Sequence, residues 1–378
     1  MKTKTFNPFI ITGYESPEYF CDRERETREL LDALENGRNV TLTSPRRMGK
    51  TGLILHAFHI LKERKPKAVT IYMDLFSTES LEDFTRMFAS EVLGSLDSNP
   101  MKILKQATAI LKGIRPNITI DGITGKAKVG IDIEQGEEEH TLSQVFDYLK
   151  QSSKDCYIAF DEFQQIAQYP EKNVEALLRS YIQNIHNVHF IFSGSQSHLL
   201  SEMFLSPKRP FYQSTANKTI GAIDCDPYFN FASKFFSVQG RILPFEVFEA
   251  VYRQYDGHTW YIQKIMNQLY GGPYANIDDA AVIEATGQIL RENDYYYQML
   301  LRSYTKGQAK LLKAVAAEGL VKEITSGSFI SKYGLTATSS VKSASNRLIE
   351  NELLYRSPEG YMIYDRFFGL WLRSLSKE

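Results

Sequence analysis

Cysteine is scarce in this chain. Three cysteines stand far apart in 378 residues, Cys21, Cys156 and Cys225, with no CxxC pair and no even-numbered framework. Reduced thiols are therefore the default reading. An excess of one charge is also missing: the formal net charge is -1, which excludes a wholly basic nucleic-acid binder but not a single basic domain. No stretch approaches the roughly 20 apolar residues of a membrane span, so no membrane association is expected. The opening "MKTKTFNPFIITG" has no long apolar core, so no signal peptide is expected and the cytoplasm is the expected location. There is no long-period repeat and no low-complexity tract. What remains, 43% hydrophobic and 24% charged residues, fits an intracellular enzyme or switch. The length suggests two or three domains.

The first informative stretch is "TLTSPRRMGKTGLI", Thr41 to Ile54. Gly-Lys-[Ser/Thr] alone arises by chance about 0.2 times in a chain this long at average composition, so its context has to decide. "NVTL" before it is β-branched and apolar, as in a buried parallel strand. "KTGLILHAFHIL" after it places Leu53, Ile54, Ala57, Phe58 and Leu61 on one helical face. The tripeptide thus falls where a strand turns into a helix N-terminus, and there free N–H groups and the helix dipole attract phosphate. The expected nucleotide-binding residues run through Ser44, Pro45, Arg46, Arg47, Met48, Gly49, Lys50, Thr51 and Gly52. Lys50 would reach the β- and γ-phosphates of ATP, and the Thr51 hydroxyl would ligate Mg²⁺. Ser44 stands where the usual phosphate loop has glycine. Arg46 and Arg47 read either as solvated charges or as extra positive charge near the nucleotide.

The second stretch is "DCYIAFDEFQQI", Asp155 to Ile166. Tyr157 to Phe160 form an apolar strand that ends in Asp161 and Glu162. Burying an unpaired charge is costly, so such a pair faces either solvent or a cleft that holds a cation. In a nucleotide site Asp161 would hold the Mg²⁺ shell and Glu162 would polarise the attacking water. Between the two stretches "KAVTIYMDLF" reads as another strand, ending in Asp74. "SLEDFTRMFASEVLGSL" reads as a helix with Ser80 as N-cap. "NVHFIFSGSQ" is a further strand ending in small polar residues. Strands separated by helices imply a parallel, doubly wound α/β sheet with its ligands at the carboxyl ends of the strands. Ser193, Ser195 or Gln196 would then lie near the γ-phosphate, with Ser195 the catalytic candidate. "NITIDGITGKAKVGIDIE", Asn117 to Glu134, alternates about its glycines as an inserted β-hairpin, either solvent-exposed or a partner-binding arm. His56 and His59 share a helix face, but no third metal ligand is evident.

"SPRRMGKT", "YIAFDE", "FIFSGSQ", "FCDRERETREL" and the tail "YDRFFGLWLR" together resemble the archaeal-type P-loop ATPases. These carry the additional glutamate of the ASCE division and are related to AAA+ and STAND proteins. The resemblance implies an ATPase core, a small helical lid and a C-terminal winged helix. It places a segment like Phe20 to Glu26 near the adenine, which carries Phe20 and Arg23 over as binding residues. Many relatives have a Gly-x-Pro in the lid. Here "YDGHTWYIQ" keeps Gly257 but has Thr259 in place of proline, and His258 reads either as a nucleotide neighbour or, in the favoured reading, as a surface histidine. The Met-His-Asp triplet by which some STAND proteins sense ADP is absent. Arg209, between the last core strand and the lid, is a candidate to reach a nucleotide in the same or a neighbouring subunit, so an oligomer is compatible with the sequence. Arg179 is its rival.

From Leu301 onward twelve Lys and Arg stand against seven Asp and Glu, a net of +5. An amphipathic helix "GQAKLLKAVAAEGL" precedes a helix-turn-helix pattern. Val341, Ala344 and Leu348 form the core face of its second helix, and "LLYRSPEGYMIYD" reads as two strands about a turn. That order is a winged helix-turn-helix, whose second helix exposes Ser340, Lys342, Ser343, Asn346 and Arg347 to DNA or to a protein partner. The expected layout is a P-loop core over 1–235 with the hairpin at about 117–134, a helical lid over 236–300 and the winged helix over 301–378. Two functions fit. One is an ATPase whose nucleotide state repositions the winged helix. The other is a slow adaptor that binds ATP or ADP and a protein partner with little turnover.

Overall fold

The computed structural model describes residues 6–96, 114–120 and 127–375. Two compact units divide the chain. One comprises Ile10–Tyr228 with His258–Trp260, the other Met1–Phe9, Phe229–Gly257 and Tyr261–Glu378.

The first unit is built on a five-stranded parallel sheet. In chain order its strands are β1 (Val40–Thr43), β2 (Val69–Asp74), β5 (Cys156–Asp161), β6 (Val188–Gly194) and β7 (Ala216–Thr219). In space they run β2-β5-β6-β1-β7. The helices α1 (Glu24–Glu35), α2 (Lys50–Arg64), α3 (Leu81–Leu96), α4 (Glu138–Gln151), α5 (Val174–Ile182) and α6 (Ser197–Leu205) accompany it. Helices cover both faces, so both faces of the central strands must be apolar. In β5, Ile158 and Phe160 enter one core with Phe84, Phe88 and Leu142, while Tyr157 and Ala159 enter another with Leu30, Leu53 and Ala57. Phe192 of β6 lies at ring-centroid distances of 4.6 Å from Phe163 and 5.0 Å from Phe204. We expect Phe192→Ala to destabilise the nucleotide-free chain by about 3–5 kcal/mol through the cavity left behind. Denaturant unfolding reads this, and an unchanged midpoint would remove the aromatic cluster as a determinant of stability.

Two details differ from the sequence reading. β7 follows the strand expected to be the last. Its side chains alternate half-buried and exposed, and it is held by backbone pairing with β1, so it has no apolar pattern to read. The inserted hairpin has β3 (Ile114–Ile120) antiparallel to β4 (Ala127–Ile133), so its first strand begins before Asn117. It is not wholly exposed, because Ile131 is buried in the same core as Phe88 and Val92. Its turn, with Gly125 and Lys126, lies outside the described residues.

The second unit holds α7 (Cys225–Val238) from Phe229 onward, α8 (Phe245–Gln254), α9 (Thr259–Gly271) from Tyr261 onward and α10 (Asp279–Arg302). Phe9 sits among Phe231, Phe235, Phe236 and Tyr270. The winged helix follows as α11 (Lys306–Glu318), α12 (Gly327–Lys332), α13 (Thr338–Glu350), β8 (Leu354–Ser357), β9 (Gly360–Ile363) and α14 (Arg366–Ser374). A bridge from Val321 to Tyr361 completes its small sheet. A capping box at Thr305 and Gln308 opens α11. This module packs on the preceding helices of its unit: Phe367 meets Tyr255 and Tyr261 edge-on, and the Trp371 indole donates to Asp294 at 2.7 Å. On α13, Val341, Ser345 and Leu348 are the buried residues, with Ala344 only half-buried. Ser345 can be buried because its hydroxyl donates to the Lys342 carbonyl at 2.9 Å.

Candidate phosphate-binding site

Because β6 lies between β1 and β5, the end of each strand meets the loop of its neighbour. The chain leaves β1 at Thr43, passes Ser44 to Met48, and enters α2 at Lys50 with Gly49 as N-cap at φ +91°. Arg47 also adopts a left-handed backbone, φ 68°. Ser44 and Met48 are buried, Pro45 and Gly49 exposed, and Arg46 half-buried. Lys50 is 7% exposed. Its ammonium donates to the Ser44 carbonyl at 3.2 Å, the Ser44 hydroxyl at 3.1 Å and the Pro45 carbonyl at 3.5 Å. Burial pulls its pKa below the usual lysine value. Asp161 and Glu162 oppose that shift, and Arg46 adds to it. Ser197, at the start of α6, donates to the Ser44 carbonyl at 3.0 Å. Serine at position 44 is thus accommodated, with its own hydroxyl engaged.

The acidic side of the site is densely bonded. Asp161, 5% exposed, accepts on Oδ2 from Thr51 Oγ1 at 2.9 Å and Tyr72 OH at 2.7 Å. On Oδ1 it accepts from Ser193 Oγ at 2.5 Å and the Glu162 amide at 3.1 Å. Glu162 follows with a left-handed backbone, φ 53°. Its Oε2 accepts from Ser195 Oγ at 2.8 Å, the Ser195 amide at 3.2 Å and Gln164 Nε2 at 2.6 Å. Asp74, paired with Asp161 across β2 and β5, has its pKa raised, by burial first and then by the neighbouring Asp161 and Glu162 carboxylates.

The donor set fits a magnesium ion. Around one buried carboxylate stand the hydroxyls of Thr51 and Ser193, all hard oxygens, and a magnesium ion takes one or two protein ligands with the remainder from phosphate and water. Among the described residues no group of three or more His, Cys, Asp or Glu forms a larger metal cluster.

The candidate base-binding residues divide. Phe20 stacks on His56 at 4.2 Å, and the Tyr14 hydroxyl meets His56 Nδ1 at 3.0 Å. The Phe20 ring edge lies 3.3 Å from where a side-chain carbon on Gly52 would stand, so glycine there lets the ring approach α2. Arg23 is brought to the loop in a different way. It is 3% exposed, and its guanidinium donates to the Met48 carbonyl at 3.2 Å, the Gly221 carbonyl at 2.7 Å and Glu26 at 3.1 Å. Those bonds fasten the segment before α1 to the loop. Arg209 is likewise committed, ion-paired with Glu175 and 3.9 Å from Glu202.

Sequence reasoning missed several neighbours. Tyr72 and Gln164 reach the acids through a strand register and a turn that periodicity does not show. Thr259 stands where many relatives have the proline of the lid. Even so, the Trp260 amide donates to the Arg47 carbonyl at 3.0 Å and Thr259 Oγ1 to the Met48 carbonyl at 3.5 Å. The Arg47 guanidinium lies 4.2 Å from the Trp260 ring centre, and the indole N–H donates to the Ile11 carbonyl at 3.0 Å. His258, read as a surface residue, is half-buried.

Residues 20–265 match the family described as an ATPase domain predominantly from Archaea, and residues 295–374 match a probable winged helix domain. Among curated protein sequences, none matches the chain. Among solved structures, a Walker-type ATPase of Pyrococcus abyssi is 19% identical with a TM-score of 0.62, over 97% of this chain and 99% of that one. The ORC2 protein of Aeropyrum pernix, solved as ADPNP–ADP complexes, is 13% identical with a TM-score of 0.60, over 99% of both chains. The ORC1 protein of Aeropyrum pernix, in complex with DNA, is 13% identical with a TM-score of 0.54, over 96% and 94%. At these identities the likeness is one of fold.

Proposed function

Because this chain belongs to the family of ATPase domains predominantly from Archaea, we propose that it binds ATP on the loop from Ser44 to Gly52 and hydrolyses it. In this reading Lys50 leaves its loop carbonyls for the β- and γ-phosphates. Thr51 and Asp161 hold the magnesium ion, which when bound neutralises charge on the phosphate oxygens. Glu162 orients the attacking water and takes its proton, and Ser195 keeps that carboxylate facing the nucleotide. Phe20 stacks against the base, while Arg23 holds the loop's shape. The observation that carries the reading is the hydrogen bond from Thr51 to Asp161. It joins two motifs 110 residues apart in sequence, and Glu162 stands beside it on Ser195. The test is phosphate release from ATP by the purified chain, with and without magnesium. No magnesium-dependent release, together with no thermal stabilisation by MgATP, would overturn it.

We further propose that the winged helix contacts DNA and that nucleotide state adjusts its position. Lys342, Ser343, Asn346 and Arg347 are all exposed on α13, and the similar ORC1 protein was solved in complex with DNA. Thr259 and Trp260, bonded to the Met48 and Arg47 carbonyls, stand in the first turn of α9. A change in the loop's shape would thus be felt at the start of that helix. Each phosphate contact contributes about 0.9 to the slope of log affinity against log salt on duplex DNA. Replacing Lys342 and Arg347 with alanine in the full chain should reduce that slope by about 2 and leave ATP turnover without DNA normal. No DNA binding by the wild-type chain at low salt would point to a protein partner instead.

A further inference from the structure

Gln164 presents two physical anomalies. It is 3% exposed, yet its Oε1 is a buried oxygen without a hydrogen-bond partner. Buried polar groups are normally paired, and each exception calls for a reason. That same Oε1 lies 2.0 Å from where a side-chain carbon on Gly194 would stand. Gly194 is the last residue of β6, paired with Thr43 of β1, and it has no left-handed backbone. Glycine at 194 therefore answers a need for space: the glutamine amide fills the place of its missing side chain. An apolar chain of the same length would fill that volume without burying an unpaired oxygen.

What an apolar chain cannot supply is the other end of the amide. Gln164 Nε2 donates to Glu162 Oε2 at 2.6 Å, and Ser195 places its two donors on the same oxygen. Turning the amide over would set its oxygen against a carboxylate and bury its N–H groups, so the orientation is dictated by charge. Three donors thus converge on Oε2, and Oε1 of the glutamate receives none of them.

We infer that Gln164 is a positioning residue for Glu162, holding one carboxylate oxygen against Ser195 so that the other is presented to water, and that Gly194 is glycine to admit it. This rests on the reading of Glu162 as general base.

The experiment is steady-state ATP turnover by the full chain carrying Gln164→Met, which keeps the side chain's length and removes both the donor and the orphaned oxygen. The kcat should fall on the order of tenfold to a hundredfold, as for a misplaced catalytic group. MgATP affinity and thermal stability should stay at wild-type levels. Gly194→Ala, which displaces the amide, should lower kcat in the same way. In a Glu162→Gln background neither change should slow the reaction further, because the group being positioned is already gone. Wild-type or faster kcat in Gln164→Met overturns the inference, as does a loss that multiplies with Glu162→Gln. If Gln164→Met melts early, Gly194→Ala decides by the same criteria. Where Glu162→Gln is slow and Gln164→Met normal, only the positioning role fails. Where Glu162→Gln turns over at the wild-type rate, the general-base reading falls and this inference with it.

Discussion

Glu162→Gln should lower ATP turnover by about 10²–10⁴-fold, the range supplied by a positioned general base, and leave MgATP binding intact. The reason lies in what the substitution keeps. Glutamine has the same shape, and its oxygen can still accept from Ser195, whose hydroxyl and amide now lie 2.8 and 3.2 Å from the carboxylate. Thr51, Lys50 and Asp161 are untouched, and they carry the affinity in the proposed site. Only the ability to take a proton is lost. The two measurements are phosphate release under single-turnover conditions and thermal stabilisation by MgATP. Hydrolysis at the wild-type rate would take the catalytic role from Glu162 and favour a slow, nucleotide-gated adaptor.

Lys50→Ala should abolish nucleotide binding. The lysine is nearly buried and already bonded to three oxygens of its own loop, so a phosphate would replace acceptors the ammonium already has. Burial disfavours its charge, and the nearby Asp161 and Glu162 restore part of it. An anion entering the loop adds to that restoration. Alanine removes the cation together with three methylenes of its stem. At a ligand concentration of 100 Kd, MgATP should stabilise the wild-type chain by about 2.7 kcal/mol, and the variant by nothing measurable. Comparing the melting temperatures of the two chains without nucleotide separates lost binding from lost folding. Stabilisation of the variant equal to wild type would move the site elsewhere.

Much of this was legible from the amino-acid order, because its signals are local. A strand buried on both faces is a continuous apolar run, so β1, β5 and β6 are readable, while the edge strand β2, which alternates buried and half-buried residues, is readable from its β-branched and apolar composition. The glycine-lysine-threonine turn and the Asp-Glu pair mark their own strand ends. The helices of the winged module follow from period and charge, although Ser345 takes the buried position that spacing assigned to Ala344. That exchange costs little because the hydroxyl is satisfied within its own turn.

The sequence by itself determined the α/β class, the phosphate loop, the acidic strand end and the C-terminal winged helix, since each is written in adjacent residues or a simple period. Only the tertiary structure decided which of these touch. Strand order sets β6 between β1 and β5, and so brings Ser193 to Asp161 and Ser195 to Glu162. Parallel register carries Tyr72 to Asp161. The edge strand β7 exists through backbone pairing, which leaves no mark on side-chain pattern. Arg23 meets the loop through a guanidinium that donates to two carbonyls and a carboxylate. Long-range hydrogen bonds of this kind depend on where distant segments meet, and no local propensity records that.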